Sequence, residues 1–377
     1  MAGEWSGWIE AEGRLFSSAP ADPRQGGNNL SLAVQPEYYT DWNNGRDSFT
    51  FVPFGRIDRN DPERTHADIR ELTWLHSADR WELRLGIRKL FWGVTESQHL
   101  VDIINQTDLV EDLDGEEKLG QPMVNLALMG DHGTWDLFLL PLFRERTFPG
   151  VEGRPRFLLP VESDHPRYQS EAEAHHLDLA VRWSHSVGVW DVGVHHFFGT
   201  SRDPRWLVEA DPTGNPVLVP YYDLIHQTGI DLQATLDNWL WKLEAIHRRG
   251  MGEAYSAATG GFEYTFWNIA ESGIDLGVVA EYLWDERGES LLTPFEDDVM
   301  VGLRLAFNDV QSSEALIGAI FDRESGEPLF SVEANRRLGE HWKLSLDLRV
   351  YSRLERDPLL TSFARDNHLQ IRLARYF

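Results

Sequence analysis

Apolar and polar residues alternate along most of this chain. In Trp81-Glu82-Leu83-Arg84-Leu85-Gly86-Ile87-Arg88 the odd positions are apolar and the even ones mostly charged. The same pattern runs through 299–307, 342–351 and 369–373. Period two describes a strand with one apolar and one polar face, and helical spacing is scarce. The runs last about 9–12 residues. Strands of globular proteins centre on about 5–6 residues, whereas a tilted strand crossing a bilayer needs about 9–11. Eighteen candidate strands follow: 5–16, 30–40, 48–58, 65–76, 81–93, 122–129, 134–144, 174–183, 189–199, 220–235, 239–249, 254–266, 273–285, 298–307, 314–322, 329–336, 342–351 and 367–377. Three of them, 65–76, 122–129 and 314–322, alternate poorly.

The connections alternate as well. One set is short: 41–47, 77–80, 130–133, 184–188, 236–238, 268–273, 308–313 and 337–341. The other set includes 17–29, 94–121, 145–173, 200–219, 286–297 and 352–366. Short turns at one rim and long loops at the other predict an all-β, antiparallel, up-and-down transmembrane barrel. With both termini on the short-turn side the strand number is even, so eighteen fits and sixteen is the alternative. No linker divides the chain, so 1–377 is expected to be one barrel domain.

Composition changes this picture in two places. A net charge of −26 and a mean hydropathy of −0.39 would by themselves suggest a soluble acidic protein. No stretch of about 20 apolar residues exists to form a transmembrane helix, and the longest, 137–143, contains Pro141. The acid excess opposes nucleic-acid binding, and zero Cys removes disulfides and thiolate chemistry. The 15 Trp sharpen the barrel reading, because twelve lie beside short turns or at the N-terminus and only Trp92, Trp206 and Trp284 lie on the long-loop side. Trp81, Trp135, Trp190, Trp239, Trp241, Trp342 and Phe377 are therefore expected in a membrane-interface girdle. The start, Met1-Ala2-Gly3-Glu4-Trp5, has no basic or apolar signal-peptide region, so the chain is either not exported or, as the barrel reading expects, a mature form.

Residues between the lipid-facing ones should line the lumen. Phasing gives 13 bases and 19 acids there. Arg56, Arg70, Arg84, Arg88, Arg304 and Arg349 are the bases expected to set selectivity. Connection 94–121 adds Asp102, Asp108, Glu111, Asp112 and other acids against a single base, Lys118. This loop, like 145–173, is long enough to fold inward. It is expected to narrow the pore opposite Arg70, Arg84 and Arg88 and to select solutes by charge. The alternative is a solvated loop bridged to lipopolysaccharide phosphates by divalent cations. Asp112, Asp114 and Glu116 also offer oxygens to Ca²⁺, although the spacing does not fit an EF-hand.

Enzyme chemistry finds no foothold in sequence. No G-x-S-x-G, P-loop, G-x-G-x-x-G or H-E-x-x-H motif occurs. His195-His196 point to opposite faces of a strand, so they cannot share a metal. No catalytic residue, cofactor or metal is expected.

The C-terminus, Leu369-Gln370-Ile371-Arg372-Leu373-Ala374-Arg375-Tyr376-Phe377, resembles the closing-strand signal of Gram-negative outer-membrane proteins, with Arg375 as a departure. That resemblance implies recognition by the barrel-assembly machinery. Arg84, Gly86, Arg88, Trp92, Gly93, Asp102, Asn105 and Asp108 form a second motif. It resembles one in porin-like families near the alginate-export outer-membrane proteins. The resemblance implies a large monomeric barrel transporting a solute or polymer. The function expected is an outer-membrane porin for small solutes or a polysaccharide, bathed in lipid and lipopolysaccharide. The monomer also rests on lipid-facing positions that look apolar all round. A barrel enzyme and a soluble β-rich binding protein are the alternatives.

Overall fold

The computed structural model describes residues 3–288, 295–351 and 360–377. Its strands are β1 (Glu4–Phe16), β2 (Asn29–Trp42), β3 (Asp47–Asp58), β4 (His66–Ser77), β5 (Trp81–Arg88), β6 (Gln121–Gly130), β7 (Gly133–Leu140), β8 (Arg167–Tyr168), β9 (Asp178–Val187), β10 (Trp190–Thr200), β11 (Arg205–Ala210), β12 (Pro216–Tyr222), β13 (Leu224–Leu236), β14 (Trp239–Arg249), β15 (Tyr255–Phe266), β16 (Asp275–Asp285), β17 (Asp297–Ala306), β18 (Glu314–Asp322), β19 (Pro328–Leu338), β20 (Trp342–Val350) and β21 (His368–Tyr376). Eighteen of them form one antiparallel sheet in chain order. The sheet closes where β21 pairs with β1 from Trp8↔Tyr376 to Phe16↔His368. Closure leaves no edge, the condition for β structure in hydrocarbon. The other three strands, β8, β11 and β12, make a small sheet within the long connections.

Four expected ranges shift. The run 81–93 stops being strand at Arg88, and 134–144 at Leu140. The strand expected at 174–183 is Asp178–Val187, and the one at 220–235 starts at Leu224. Apolar or aromatic residues such as Leu90-Phe91-Trp92, Leu142-Phe143 and Tyr221-Tyr222 lie just beyond the wall strands and extend the apparent runs. Connections 286–297 and 352–366 lie partly outside the described residues.

Outward side chains form an apolar belt, with Leu30, Leu32, Ile57, Leu137, Leu139, Val301, Leu303, Leu346 and Leu348 all exposed. Trp81, Trp135, Trp190, Trp239, Trp241, Trp342 and Phe377 are exposed beside the short turns or chain end. Trp8 instead alternates inward and meets the Phe54 ring at 6.2 Å. One sector departs from the apolar belt. His196, Thr228, His247 and Ser256 stand directly opposite one another across β10, β13, β14 and β15. His196 Nδ1 lies 2.8 Å from the Thr228 hydroxyl, and His247 Nδ1 3.2 Å from the Ser256 hydroxyl. The exterior is therefore not apolar all round.

The three poorly alternating strands have physical explanations. On β4, Ile69 faces Pro53 and Glu71 faces Val52, so Arg70 is the extra residue of a β-bulge and the period slips there. On β6 the inward residues Met123 and Ala127 are themselves apolar and 3% exposed. On β18, inward Ile320 packs on a cluster of Val279, Leu283 and Met300. Part of the lumen wall is thus a hydrophobic core rather than a wetted surface.

Candidate functional site

The connection after β5, residues 89–120, supplies the other half of that core. Its Trp92, Val101, Ile103 and Ile104 pack on Met123, Phe138, Leu140, Ala180, Phe197, Ile225, Ile246 and Ala257 from the inner wall. Burying these side chains inside the barrel removes apolar surface from water and draws the loop into the lumen. Trp92 meets the Phe138 ring at 5.6 Å, and the Arg182 guanidinium lies 5.0 Å from the Trp92 ring. Trp92 is 7% exposed, so it does not sit at the outer bilayer boundary.

The motif residues around Trp92 build the loop. Asn105 Nδ2 donates to the carbonyls of Arg88 and Leu119, each at 2.8 Å, and Oδ1 accepts from the Leu90 amide at 2.9 Å. One buried amide thereby ties the start of the loop to its end. Asp102 Oδ1 accepts from the Trp92 amide at 3.2 Å, and Oδ2 pairs with Lys118 at 3.2 Å. Gly86 has φ 134°, and a Cβ there would collide with the Leu72 carbonyl oxygen.

Ionic contacts fix the loop to the wall on both sides. Near β1, β3 and β4, Arg70 pairs with Asp108 at 2.6 Å and Arg56 with Glu111 at 2.8 Å. Arg64 donates to the Val110 carbonyl at 3.0 Å and Arg14 to the Glu111 carbonyl at 2.6 Å. Across the lumen, Glu244 accepts from the amides of Val94, Thr95 and Val101 at 2.7, 3.0 and 3.2 Å. Glu281 accepts from those of Glu96 and Ser97 at 2.8 and 2.9 Å. Arg304 pairs with Glu96 at 2.6 Å and Arg349 with Asp114 at 3.2 Å. The loop therefore spans the barrel, held by guanidiniums at one wall and mainly by carboxylates at the other.

Two expected partners are elsewhere. Arg84 bonds to Glu82 and Asn125, and Arg88 to Asn125, so neither faces the acidic segment. Their strand neighbours on β5 and β6 satisfy them before the loop is reached. Alternation had placed Glu244 and Glu281 in the lumen without singling them out. Arg64 lies in a short connection where no pattern marks it, and Asn105 is marked only by the motif.

Charge within the loop is uneven. His99 bonds to Glu116 at 3.0 Å and approaches Glu244 at 3.9 Å. Burial works against its charge, but these carboxylates outweigh it and push the imidazole up to about 10. The same contact holds the Glu116 carboxyl below its usual range. Enclosure by the barrel and the neighbouring Asp112 push the Asp114 carboxyl up to about 8. Asp112 and Asp114 cluster with Asp347 of β20, with one ligand atom from each within 4.8 Å of the others. Glu116 is drawn away to His99, so Asp112, Asp114 and Glu116 do not assemble as a Ca²⁺ trio. A cation already serves the cluster that does form, since Arg349 lies 3.2 Å from Asp114 and 2.9 Å from Asp347.

On the long-loop side of 89–120 lies a cavity of about 490 Å³. Connections after β7 and β10 contribute Arg146, Phe157, Arg202, Asp203 and Trp206 to it. Its described charged lining is closed by opposite charges, some of them shared. Arg146 and Arg248 share Asp203 at 2.9 and 2.8 Å, and Arg287 holds Asp285 at 2.7 Å. Arg349 also holds Glu333 at 2.7 Å, and Arg202 holds Asp178 at 2.8 Å.

No family model matches this sequence. No curated protein matches it either, so the motif resemblance around Trp92 has no sequence relative behind it. Among solved structures the chain is similar to substituted forms of the porin of Rhodopseudomonas blastica. Three of these are 11%, 12% and 12% identical over all of both chains, with TM-scores of 0.47, 0.47 and 0.46. Likeness at that level carries no argument about solutes or residues. The local geometry has to carry the functional reading.

Proposed function

We propose that this protein is an outer-membrane channel whose lumen is narrowed by loop 89–120 and which passes small solutes selectively. The observation that carries this is the loop itself, packed and ion-paired across the inside of a closed barrel. The apolar belt and the aromatic rim support a bilayer setting. Selectivity follows from the constriction, where Arg56 and Arg70 fix Asp108 and Glu111 while Arg304 and Arg349 face Glu96 and Asp114. Arg84 and Arg88 line the lumen on the short-turn side of the loop. Phe377, at the end of the closing strand, is the element offered to an assembly machinery.

Planar-bilayer recording tests this. The intact protein should insert from detergent and conduct in steps, and removing 106–118 should enlarge the step. Equal steps would overturn the constriction. Absence of steps, or a monodisperse detergent-free solution, would overturn the channel.

A further inference from the structure

The cavity outside the loop has two features that together specify a kind of solute. The first is electrostatic. Among the described residues, each charged side chain lining it already has an opposite charge within 3.2 Å, from Lys118 with Asp102 to Arg349 with Glu333, and His99 with Glu116 completes that set. The contacts are local, and each described guanidinium on the cavity is already bonded to a carboxylate, with Arg146 and Arg248 sharing Asp203. A carboxylate or phosphate entering the cavity would have to compete with these carboxylates for guanidiniums they already hold, which is costly in a partly enclosed site. A guanidinium and a carboxylate held together still keep spare N–H groups and lone pairs in fixed positions. Those suit hydroxyl groups, which both donate and accept.

The second feature is a row of rings on the same cavity. Trp206 and Phe157 have centroids 5.5 Å apart, Phe157 and Phe363 5.9 Å, and Phe363 and Tyr351 5.6 Å. All four line the cavity, and they come from three separate connections. The rings tilt against one another by 42–65°, and Trp206 and Phe157, the partly exposed pair of the first contact, offer apolar surface at a spacing close to one sugar ring. Sugar rings have this division, with an apolar C–H face and hydroxyls around the edge.

We propose that this cavity is a binding subsite for a neutral saccharide, held by stacking on Trp206 and Phe157 and by hydroxyl bonds to the paired charges. The inference rests on the channel reading and adds the solute class to it.

Single-channel block separates the two. The probes are maltohexaose and cellohexaose as neutral chains and hexagalacturonate as the charged one. At least one neutral probe should interrupt the current, and hexagalacturonate should block at least about tenfold more weakly. Trp206→Ala and Phe157→Ala should each weaken the neutral block by roughly tenfold, the size expected for losing one aromatic contact. Trp206→Phe should retain most of it. Lack of block by both neutral chains, equal or stronger block by hexagalacturonate, or neutral block untouched by Trp206→Ala would each overturn the proposal. Loss of the steps before any sugar is added would instead refute the channel.

Discussion

At the scale of single residues, the loop depends on a few polar groups that cannot be replaced by water. Asn105 is 1% exposed and satisfies two carbonyls and one amide. In Asn105→Ala these backbone groups are left dry, at about 1–3 kcal/mol for each unsatisfied one. The expected result is a noisy channel with larger mean conductance in a barrel that still resists unfolding in SDS. Conductance like the parent's would show that the amide is not a staple. His99 gives a pH-dependent counterpart. Its imidazole is raised from 6.5 to about 10, so its contribution is complete below pH 6.5 and fades as pH climbs toward 10. Current noise should rise over that interval, and in His99→Gln the part of the rise above the Asp114 titration near pH 8 should disappear. A flat profile in the parent protein would remove His99 from the loop's anchorage.

At the scale of elements, loop 89–120 behaves as a small domain whose core is shared with the wall. Ile104 is fully buried between them. Truncating such a residue typically costs about 2–5 kcal/mol. In Ile104→Ala the cost falls on the inward position of the loop rather than on the strands, whose ladders stay intact. Hydrogen exchange at 98–106 should accelerate while exchange in β1, β2 and β21 stays as it was. Unchanged protection at 98–106 would mean that ionic contacts alone hold the loop. This sharing also explains which strands alternated badly. Met123 on β6 is apolar on the inner face because the loop, not water, lies against it.

At the scale of the whole molecule, stability and topology meet at the seam between β1 and β21. Removing 368–377 would expose the ladders of β1 and β20 inside hydrocarbon, where unpaired amides and carbonyls cannot be tolerated. That truncation should abolish the compact, heat-modifiable form on gels. A compact truncated barrel would show that the seam is dispensable. The alternation, strand lengths and lopsided connections were enough to specify this barrel and its strand count. They depend only on each strand having one face in lipid and one away from it. The Trp positions sufficed for the rim for the same reason, except at Trp8 and Trp92, which face inward. Sequence could also mark 94–121 as acidic and long enough to enter the lumen. Its partners came only with the tertiary structure, because Glu244, Glu281, Arg64 and Arg349 reach the loop from strands and turns far away in the chain. A period-two pattern tells which way a side chain points. It does not tell what stands across a lumen from it, and the closed sheet alone decides that.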